Sequence, residues 1–388
     1  MRWPRSSRRK GSCLPSDDRS FTGARAPGQQ VQPRSDVALA PFTTLGVGGP
    51  AEWYLRARTA DDIRRADEWC RERNVSMFVL GGGSNVVVAD RGLRGLVVHM
   101  GIPGATFDAD AAGTRLVAGA GERWDPVVAA AVERGLAGLE CLSGIPGTVG
   151  GTPIQNVGAY GQEVAGAIES VVAYDRADRV VRTLAASECL FAYRMSRFKR
   201  EEPDRFVVCS VTFRLCPGPP TATYPDIVRH LESAGIASPS LADVRRAVLD
   251  VRRRKGMVLD AADADTRSVG SFFMNPIVGP ADRERVAAVA GIEPPAYAMN
   301  ADRVKLPAAW LIERAGFQKG DADGPVAIST KHTLALVNRG GATARDVLRL
   351  AMRIKQRVLE RFGVWIRPEP VFVGFDGDPE VEFLQAQQ

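Results

Sequence analysis

The sequence predicts an α+β protein of two or three domains, and three observations lead to this prediction. Its 388 residues can build more than one hydrophobic core, and 45% hydrophobic with 25% charged residues is typical of a soluble globular chain. Segments with strand-like alternation and segments with helical periodicity follow one another along the chain. Two glycine-rich loops interrupt them, and neither has the context of a Rossmann fold.

Residues 1–36 differ from the rest in composition and are expected to form a disordered basic tail. They hold eight Arg or Lys against three Asp, a net charge of +5 out of the chain's +6. The remainder is nearly neutral, which argues against a nucleic-acid-binding surface. The tail lacks the apolar segment of a secretory signal; a transit peptide and a wrongly assigned start codon both stay open. No apolar run approaches the ~18 residues of a membrane span.

Residues 37–103 are expected to form a first α/β unit. Strands are predicted at 51–57 and 96–100, and a helix at 61–73 with Thr59 as its N-cap. The stretch VSMFVLGGGSNVVVAD then predicts a strand, a glycine turn and a second strand. Because a strand follows these glycines where a Rossmann site needs a helix, a Rossmann pyrophosphate site is excluded.

A second unit is expected over residues 104–222. It contains a predicted strand at 114–118, a helix at 124–133, a hairpin of 168–175 with 180–184, and a further strand at 206–215.

The longest glycine-rich stretch lies inside this unit and reads LSGIPGTVGGTPIQNVGAYG at 142–161. No regular helix or strand tolerates six glycines in twenty positions, so a long ordered loop is predicted. Its other residues are small, apolar or neutral, unlike those of a Ser-, Glu- or Lys-rich linker. Backbone N–H groups of such a loop bind phosphate oxygens without Lys or Arg, which indicates a nucleotide cofactor.

GGGSN at 81–85 and SGIPGTVGGTPIQNVGAYG at 143–161 together resemble the flavin-binding half of the bacterial UDP-N-acetylenolpyruvoylglucosamine reductase family. The resemblance runs from about residue 41 to about residue 374, and the family belongs to the vanillyl-alcohol oxidase group of FAD folds. It implies a PCMH-type FAD-binding region of two subdomains, followed by a C-terminal α+β domain that binds substrate. The FAD contacts that it implies are Gly81, Gly82, Gly83, Ser84, Asn85, Gly144, Ile145, Pro146, Gly147, Gly150, Gly151, Ile154 and Gly158.

FAYRMSRFK at 191–199 matches the family's Y-R-x-S-x-F-K motif, in which the first Arg is an active-site residue. This position is Arg194, and an arginine beside aromatic residues can hold a carboxylate with two parallel hydrogen bonds. The residues alone favour a solvated basic patch, because Arg197, Lys199 and Arg200 are adjacent. The resemblance implies a catalytic role.

Residues 223–375 are expected to form the third unit, with helices at 241–254 and 344–362 and a strand at 329–338. The acidic residues 376–388 are expected to be a loosely packed tail.

VGSFFMNP, within this unit, matches the family signature G-S-F-F-x-N-P, whose serine is the proton donor and corresponds to Ser271. A serine hydroxyl is a useful acid only when it is held against a basic carbon in a dry site, and Phe272 and Phe273 can exclude water. Without the resemblance, Ser271 is an ordinary serine in a strand turn. No G-x-S-x-G elbow and no neighbouring His or Asp accompanies it, which disfavours a hydrolase triad.

WIRPEP matches the family's L-x-P-E motif, whose glutamate is catalytic, and this implies a catalytic role for Glu369. Prolines on both sides restrict its backbone, which suits a positioned carboxylate; an exposed turn glutamate is the alternative. Relatives carry a glutamate where this chain has Arg367, a departure that changes the local charge.

The resemblance further implies substrate contacts from Tyr160, Tyr224, Lys255 and Asn275. Tyr224 corresponds to a tyrosine that closes over the substrate in the first type of this enzyme. Lys255 follows a helix, where a lysine that compensates the helix dipole is nearly as good an explanation. His332 lies where relatives carry polar residues near the ligand, and its role is open.

The activity implied is the NADPH-dependent, FAD-mediated reduction of UDP-N-acetylglucosamine enolpyruvate to UDP-N-acetylmuramate, a cell-wall precursor. FAD and NADPH are the implied cofactors, and a UDP-sugar is the implied substrate. Scattered cysteines and histidines, without a C-x-x-C pair, predict no metal site and a reducing cytoplasmic compartment. The expected protein is a monomer with neither nucleic-acid nor membrane partners.

Two other functions compete with this interpretation. Another flavin oxidase of the same fold group should lack both the G-S-F-F-x-N-P and the P-E motifs, which are present here. A non-catalytic module that binds nucleotides or nucleic acid through the basic tail leaves the third domain unexplained.

Overall fold

The structure is a computed structural model that describes residues 32–300 and 302–387, so most of the predicted tail lies outside the described residues. The strands in the described part are, in chain order, β1 (Arg34–Ala38), β2 (Pro50–Ala57), β3 (Met77–Leu80), β4 (Val86–Val88), β5 (Leu93–Met100), β6 (Ala105–Asp110), β7 (Gly113–Gly119), β8 (Leu136–Ala137), β9 (Gly158–Ala159), β10 (Gln162–Glu163), β11 (Ile168–Asp175), β12 (Val180–Ala185), β13 (Phe206–Pro217), β14 (Ile277–Val278), β15 (Tyr297–Asn300), β16 (Arg303–Lys305), β17 (Ala322–Asp323), β18 (Val326–Ile328), β19 (Leu336–Asn338) and β20 (Val371–Val373).

The α-helices of the same residues are α1 (Ala60–Arg73), α2 (Trp124–Glu133), α3 (Pro225–Ser233), α4 (Leu241–Arg254), α5 (Pro280–Ala290), α6 (Ala308–Arg314), α7 (Ala344–Phe362) and α8 (Pro379–Gln385). Helices α2, α4 and α7 begin and end at the residues predicted from the sequence. Capping boxes open α1, α4 and α7, where Thr59, Ser240 and Thr343 bond the N–H of an Asp three residues later. These helix starts are therefore encoded locally.

The first sheet has the order β1–β2–β5–β3, with β1 antiparallel and the other two pairs parallel. Helix α1 connects β2 to β3 and buries Ile63, Ala66 and Cys70. Strand β1 begins at Arg34, inside the stretch that was expected to be disordered. That expectation was wrong from this residue onward, because pairing with β2 satisfies backbone groups whatever the side-chain composition.

The second sheet is antiparallel, with the order β12–β11–β13–β7–β6 and the short β8 paired to β13. The predicted hairpin is confirmed as β11 and β12. Leu116, Val171 and Phe213 are fully buried in its core, and the Phe213 ring lies 5.7 Å from that of Trp124 in α2. The long glycine-rich loop begins beyond α2, so this packing holds the loop against the end of the sheet.

The C-terminal part packs two three-stranded sheets, β14–β16–β15 and β17–β18–β19, with helix α7. Val347, Leu350, Ile354 and Val358 form the buried face of α7. Strand β20 leaves this part and pairs in parallel with β4 of the first unit. The segment before β20, which contains Glu369, therefore lies beside the GGGSN loop before β4.

Residues 329–338 do not form the single strand that was predicted, because β19 covers only the last three of them. Ser329 Oγ accepts hydrogen bonds from the N–H groups of Lys331 (3.0 Å) and His332 (3.2 Å). A serine that bonds its neighbours' backbone in this way competes with strand pairing and makes a turn.

The C-terminal tail is also more ordered than expected, because α8 packs on α7 and buries Val381 and Leu384. Lys355 of α7 is fully buried. Its Nζ donates to the carbonyl oxygens of Phe383 (2.8 Å), Leu384 (2.7 Å) and Ala386 (2.9 Å). The expectation of loose packing was wrong, since a lysine about 30 residues away donates hydrogen bonds to the carbonyl groups at the end of this helix.

In the described ranges, no helix combines the length and apolar character required to cross a membrane. No three His, Cys, Asp or Glu side chains of these residues gather as a metal ion would need. The three predicted units each contain a sheet, and their boundaries stay predictions.

Candidate active site

A cavity of about 330 Å³ lies between the two glycine-rich loops and the C-terminal part of the chain. The predicted residues that line it are Gly81, Gly82, Gly83, Ser84, Asn85, Ile145, Pro146, Gly147, Gly151, Ile154, Gly158, Arg194, Ser271 and Glu369. The other lining residues are Trp124, Thr148, Thr152, Gln155, Val157, Lys199, Arg252, Met257, Val269, Gly270 and Val371. The fold thus brings together motifs that are far apart in the sequence.

The two glycine-rich loops are in direct backbone contact at the floor of this cavity. A Cβ on Gly82 would lie 2.6 Å from the Cα of Gly147, so neither loop leaves room for a side chain there. Ser84 Oγ donates to the carbonyl oxygen of Pro146 at 3.1 Å and fastens the same contact. The result is a close-packed floor of neutral backbone, which suits a dinucleotide cofactor.

Asn85 connects the GGGSN loop to the two other segments of the site. Its Nδ2 donates to Gln155 Oε1 at 2.8 Å and to the Glu369 carbonyl at 3.4 Å. Its own carbonyl accepts from the Val371 N–H at 2.9 Å. The position of the Glu369 backbone is therefore set by the loop that is predicted to hold the cofactor.

Two buried polar atoms at the cavity have no hydrogen-bond partner in the protein, namely Thr148 Oγ1 and Arg252 Nε. Buried polar groups are rarely left unpaired, so both donors are available to a bound molecule. Burial lowers the pKa of the Arg252 guanidinium, and its Nη2 donates to the Met257 carbonyl at 2.8 Å. With the neutral backbone floor, these donors fit an anionic dinucleotide such as FAD.

Arg252 was missed by the sequence reasoning, which considered only Lys255 at the end of α4. A signal was present, since Arg252 follows Val244 and Val248 at the four-residue spacing of the buried helix face. A charged residue at such a position is more often snorkelling than functional, so the spacing alone did not decide the matter.

Arg194 lies at the cavity wall in a left-handed backbone conformation, with φ of +53°. Its Nη2 donates to the Gly158 carbonyl at 2.6 Å, and its Nε lies 3.5 Å from Glu369 Oε1. A non-glycine residue in this conformation is held there by its surroundings. The guanidinium is therefore positioned by the long glycine-rich loop and faces the carboxyl group.

The charges around Glu369 are coupled. Burial raises the pKa of Glu369, while Arg194 and Lys199 act in the opposite direction. Burial likewise lowers the pKa of Lys199, and the charge of Glu369 opposes this shift. Desolvation favours the neutral form of both groups, so burial shifts Glu369 towards its acid form.

Ser271 is held beside Glu369 by backbone pairing. The Glu369 N–H donates to the Phe272 carbonyl at 2.9 Å, and the Phe272 N–H donates to the Leu334 carbonyl at 2.7 Å. Phe272 and Phe273 are buried, with rings 5.2 Å apart. The Ser271 hydroxyl is thus placed at the cavity on a rigid segment with an apolar backing.

A histidine lies next to Ser271, although none is near it in the sequence. The Nε2 of His332 is 3.4 Å from Ser271 Oγ. Burial, together with the charges of Lys255, Lys319 and Arg252, lowers the pKa of His332 to about 4. The imidazole is therefore neutral at neutral pH.

Gly144 and Gly150, predicted as FAD contacts, are not among the residues that line the cavity. The Gly144 N–H donates to Asp125 Oδ1 at 2.6 Å, and Arg245 of α4 holds the same carboxylate at 2.7 and 2.9 Å. The Gly150 N–H bonds the Ala120 carbonyl at 2.9 Å. In the structure the backbone bonds of these two glycines stabilise the loop, and the glycines do not line the cavity.

The four predicted substrate residues also lie outside the cavity lining. Tyr160 and Tyr224 pack edge to face with ring centroids 5.3 Å apart, and Tyr224 is 42% exposed. Lys255 Nζ pairs with Asp226 at 2.8 Å. Asn275 Oδ1 accepts from the first N–H of α6 at 2.9 Å. Their roles in substrate binding stay predictions.

Two family models match the sequence. One describes an FAD-binding domain and matches residues 51–177. The other describes the UDP-N-acetylenolpyruvoylglucosamine reductase C-terminal domain and matches residues 262–373. The first match contains both glycine-rich loops, and the second contains Ser271 and Glu369.

Curated relatives match almost end to end. A UDP-N-acetylenolpyruvoylglucosamine reductase of Thermobifida fusca is 49% identical over 349 residues, which cover 87% of this chain and 97% of the relative. One of Streptomyces coelicolor is 47% identical over 356 residues, covering 89% and 91%. The solved structure of such a reductase from Thermus caldophilus superposes with a TM-score of 0.60 at 28% identity, covering 88% of this chain and 100% of that one.

These similarities extend over both glycine-rich loops, the segments that contain Ser271 and Glu369, and the C-terminal domain. They confirm the predicted α+β fold class with an FAD-binding region. The chain therefore belongs to the UDP-N-acetylenolpyruvoylglucosamine reductase family.

Proposed function

We propose that the chain reduces UDP-N-acetylglucosamine enolpyruvate to UDP-N-acetylmuramate in this cavity, with Arg194, Ser271 and Glu369 as its catalytic residues. The family assignment confirms the predicted enzyme class, the reaction and the cofactors FAD and NADPH. The residue roles rest on one observation, which is that three separate sequence motifs line a single cavity between the glycine-rich loops.

The glycine-rich loops would hold FAD through backbone N–H groups, with Thr148 and Arg252 offering their unpaired donors. When bound, FAD would accept a hydride from NADPH and supply it to the outer vinyl carbon of the substrate. The tasks left to the protein are to orient the substrate, exclude water, stabilise charge and provide a proton.

Arg194 and Glu369 would stabilise the negative charge that develops on the enolpyruvyl carboxylate. The Arg194 guanidinium is already fixed by the Gly158 carbonyl, so little reorganisation is needed when it pairs with that carboxylate. Burial raises the pKa of Glu369 and favours its acid form. A carboxylic acid kept neutral in this way can donate a hydrogen bond to an enolate-like oxygen.

Ser271 would give its hydroxyl proton to the inner carbon of the former double bond. A serine is a weak acid in water, so this role requires a basic carbanion-like partner and a dry site. The buried Phe272 and Phe273 behind the serine provide the apolar backing. The backbone pairing of Phe272 with Leu334 and Glu369 holds the segment that carries Ser271 in place.

The test follows the flavin absorbance under anaerobic conditions, with NADPH added first and the enolpyruvyl substrate second. Wild-type protein should lose its flavin bands with NADPH and regain them with the substrate. The variant Ser271→Ala should be bleached normally but should regain colour about 100-fold more slowly or worse. The exposed Ser233→Ala serves as a matched control. Rapid recovery of Ser271→Ala would remove Ser271 from the mechanism.

We also propose that the chain acts as a monomer in the cytoplasm on a UDP-sugar, without nucleic-acid partners. The five cysteines of the described residues are free thiols, which supports a reducing compartment. The near-neutral charge outside the basic tail supports the absence of a nucleic-acid partner. Sedimentation of the purified holoenzyme tests the oligomeric state, and a dimer at micromolar concentration would contradict the proposal.

A further inference from the structure

The half-buried His332, beside the serine proposed to donate a proton, has no assigned role in the reaction described above. We infer that His332 is a positioning residue, whose neutral Nε2–H donates to Ser271 Oγ, directs the hydroxyl hydrogen towards the substrate carbon and stabilises the alkoxide. This inference rests on the proposed function. It concerns the group that makes the serine competent, which neither the family motifs nor the backbone pairing around Ser271 supplies.

The first support is that the backbone around His332 is held in a fixed position relative to Ser271. Ser329 Oγ accepts from the His332 N–H at 3.2 Å, and the His332 carbonyl accepts from the Ala335 N–H at 3.0 Å. Ala335 in turn forms a backbone bridge with Ser271. Serine and histidine thus lie on two paired segments, and this pairing brings Oγ and Nε2 to a separation of 3.4 Å.

The turn that contains His332 is itself anchored. The N–H of Thr330 donates to Asp265 Oδ1 at 3.1 Å, and its hydroxyl donates to Oδ2 of the same carboxylate at 2.5 Å. Asp265 is almost completely buried. A catalytic hydrogen bond is often long in the absence of substrate and shortens in the complex, so an anchored 3.4 Å contact is a competent starting geometry.

The second support is electrostatic and decides between two possible roles. A general base would draw the proton off Ser271 and become an imidazolium. The charged groups that act on His332 are Lys255, Lys319 and Arg252, all of them cations. They and burial hold the pKa of His332 at about 4, which opposes the positive charge that an imidazolium would add beside these cations. A neutral imidazole has one N–H donor, and a donor to Oγ is what a serine acid needs.

The proton balance of the step is simple. The O–H bond of Ser271 breaks, a C–H bond forms at the inner carbon of the substrate, and Oγ carries the negative charge. The Nε2–H of His332 stays on the ring and stabilises this charge, as a donor in an oxyanion hole does. Solvent returns a proton to Oγ when the product leaves. Histidine therefore remains neutral throughout.

The inference predicts that loss of the donor slows only the second half-reaction. In holoenzyme with bound FAD, His332→Phe should be reduced by NADPH at the wild-type rate within about twofold. Its reoxidation by the enolpyruvyl substrate should be about 100-fold slower, the usual effect of losing one such donor. The dissociation constant of the substrate should change by less than about threefold, because the donor acts mainly as charge develops.

A conservative pair separates donation from structure. Gln at position 332 can place an amide N–H near the position of Nε2, whereas Asn is too short to reach it. His332→Gln should regain at least about tenfold of the lost rate over His332→Asn. His99→Gln, at a histidine that bonds Tyr54 outside the cavity, is the matched control and should reoxidise normally.

Three results would overturn the inference: equal rates for the Gln and Asn variants, normal reoxidation of His332→Phe, or equal slowing of both half-reactions. The Gln and Asn comparison keeps the test valid should the Phe variant fail to fold. If reduced wild-type enzyme is not reoxidised by the enolpyruvyl substrate, the proposed function itself fails. If wild type and His332→Phe are reoxidised equally well, only the inference about His332 fails.

Discussion

Replacing Gly82 by alanine probes the contact on which the proposed FAD site depends. A Cβ at this position would lie 2.6 Å from the Cα and 2.9 Å from the carbonyl carbon of Gly147. Ordinary contacts begin at 3.4 Å, so the two glycine-rich loops would have to separate by about 0.8 Å or more. Backbone atoms oppose the new methyl group, and they cannot rotate away as a flexible side chain would.

The size of the effect follows from this overlap. Overpacking of a close-packed site costs about 1–3 kcal/mol, and each 1.4 kcal/mol is a factor of ten in a dissociation constant. Gly82→Ala should therefore weaken FAD binding by about 10–100-fold. The free energy of unfolding of the FAD-free protein should fall by less than this cost, because only the part of the overlap that is relieved without FAD weakens FAD binding.

The assay is a fluorescence titration of FAD-free protein with FAD, accompanied by a denaturation curve. Gly166→Ala is the matched control, since a Cβ at Gly166 meets nothing within 4 Å and the residue is not part of the cavity lining. An FAD dissociation constant for Gly82→Ala within twofold of wild type would show that the loop contact does not shape the cofactor site.

The remaining predictions concern charge and stability. Reoxidation of the reduced enzyme should slow as pH rises through the raised pKa of Glu369, because its hydrogen-bond-donating acid form is lost; Glu369→Gln should abolish this pH dependence, and a dependence unchanged in the variant would refute the role. Arg252→Met should weaken FAD binding about tenfold or more in the same titration, since it removes a charged donor whose buried Nε–H has no partner in the protein. An unchanged FAD affinity would show that this donor does not contact FAD. Lys355→Met should lower the free energy of unfolding by about 3 kcal/mol in a urea titration, because three carbonyl groups lose their donor; a loss below about 1 kcal/mol would contradict this reasoning.

Elements whose ends are encoded locally were predictable from the sequence. Helices α1, α4 and α7 have Thr59, Ser240 and Thr343 as N-caps, each with an Asp three residues later that completes a capping box. The density of glycine in the long loop likewise predicted a loop without reference to any partner, and the two-residue strand β9 is the one strand found between residues 142 and 161. The positions of Arg194 and Glu369 at one cavity were expected from the family motifs, not from the residues themselves.

What could not be predicted depends on partners that are distant in sequence. Arg252 looks like a solvated arginine until its helix is packed against the glycine-rich loop. His332 becomes a neighbour of Ser271 only because Ala335 pairs with the serine segment. The tail helix α8 depends on Lys355 in another helix. In each case the deciding interaction is tertiary, so local patterns alone do not establish it.

The pairing of β20 with β4 also limits when an active enzyme can exist during its synthesis. Asn85 donates a hydrogen bond to the carbonyl of Glu369, a residue 284 positions later in the chain. Its own carbonyl accepts a hydrogen bond from the N–H of Val371. A ribosome must therefore release the chain to beyond β20 before the cavity can close around a flavin. Nascent chains and fragments that stop before β20 should emerge colourless, with the edge of β4 unpaired and open to aggregation.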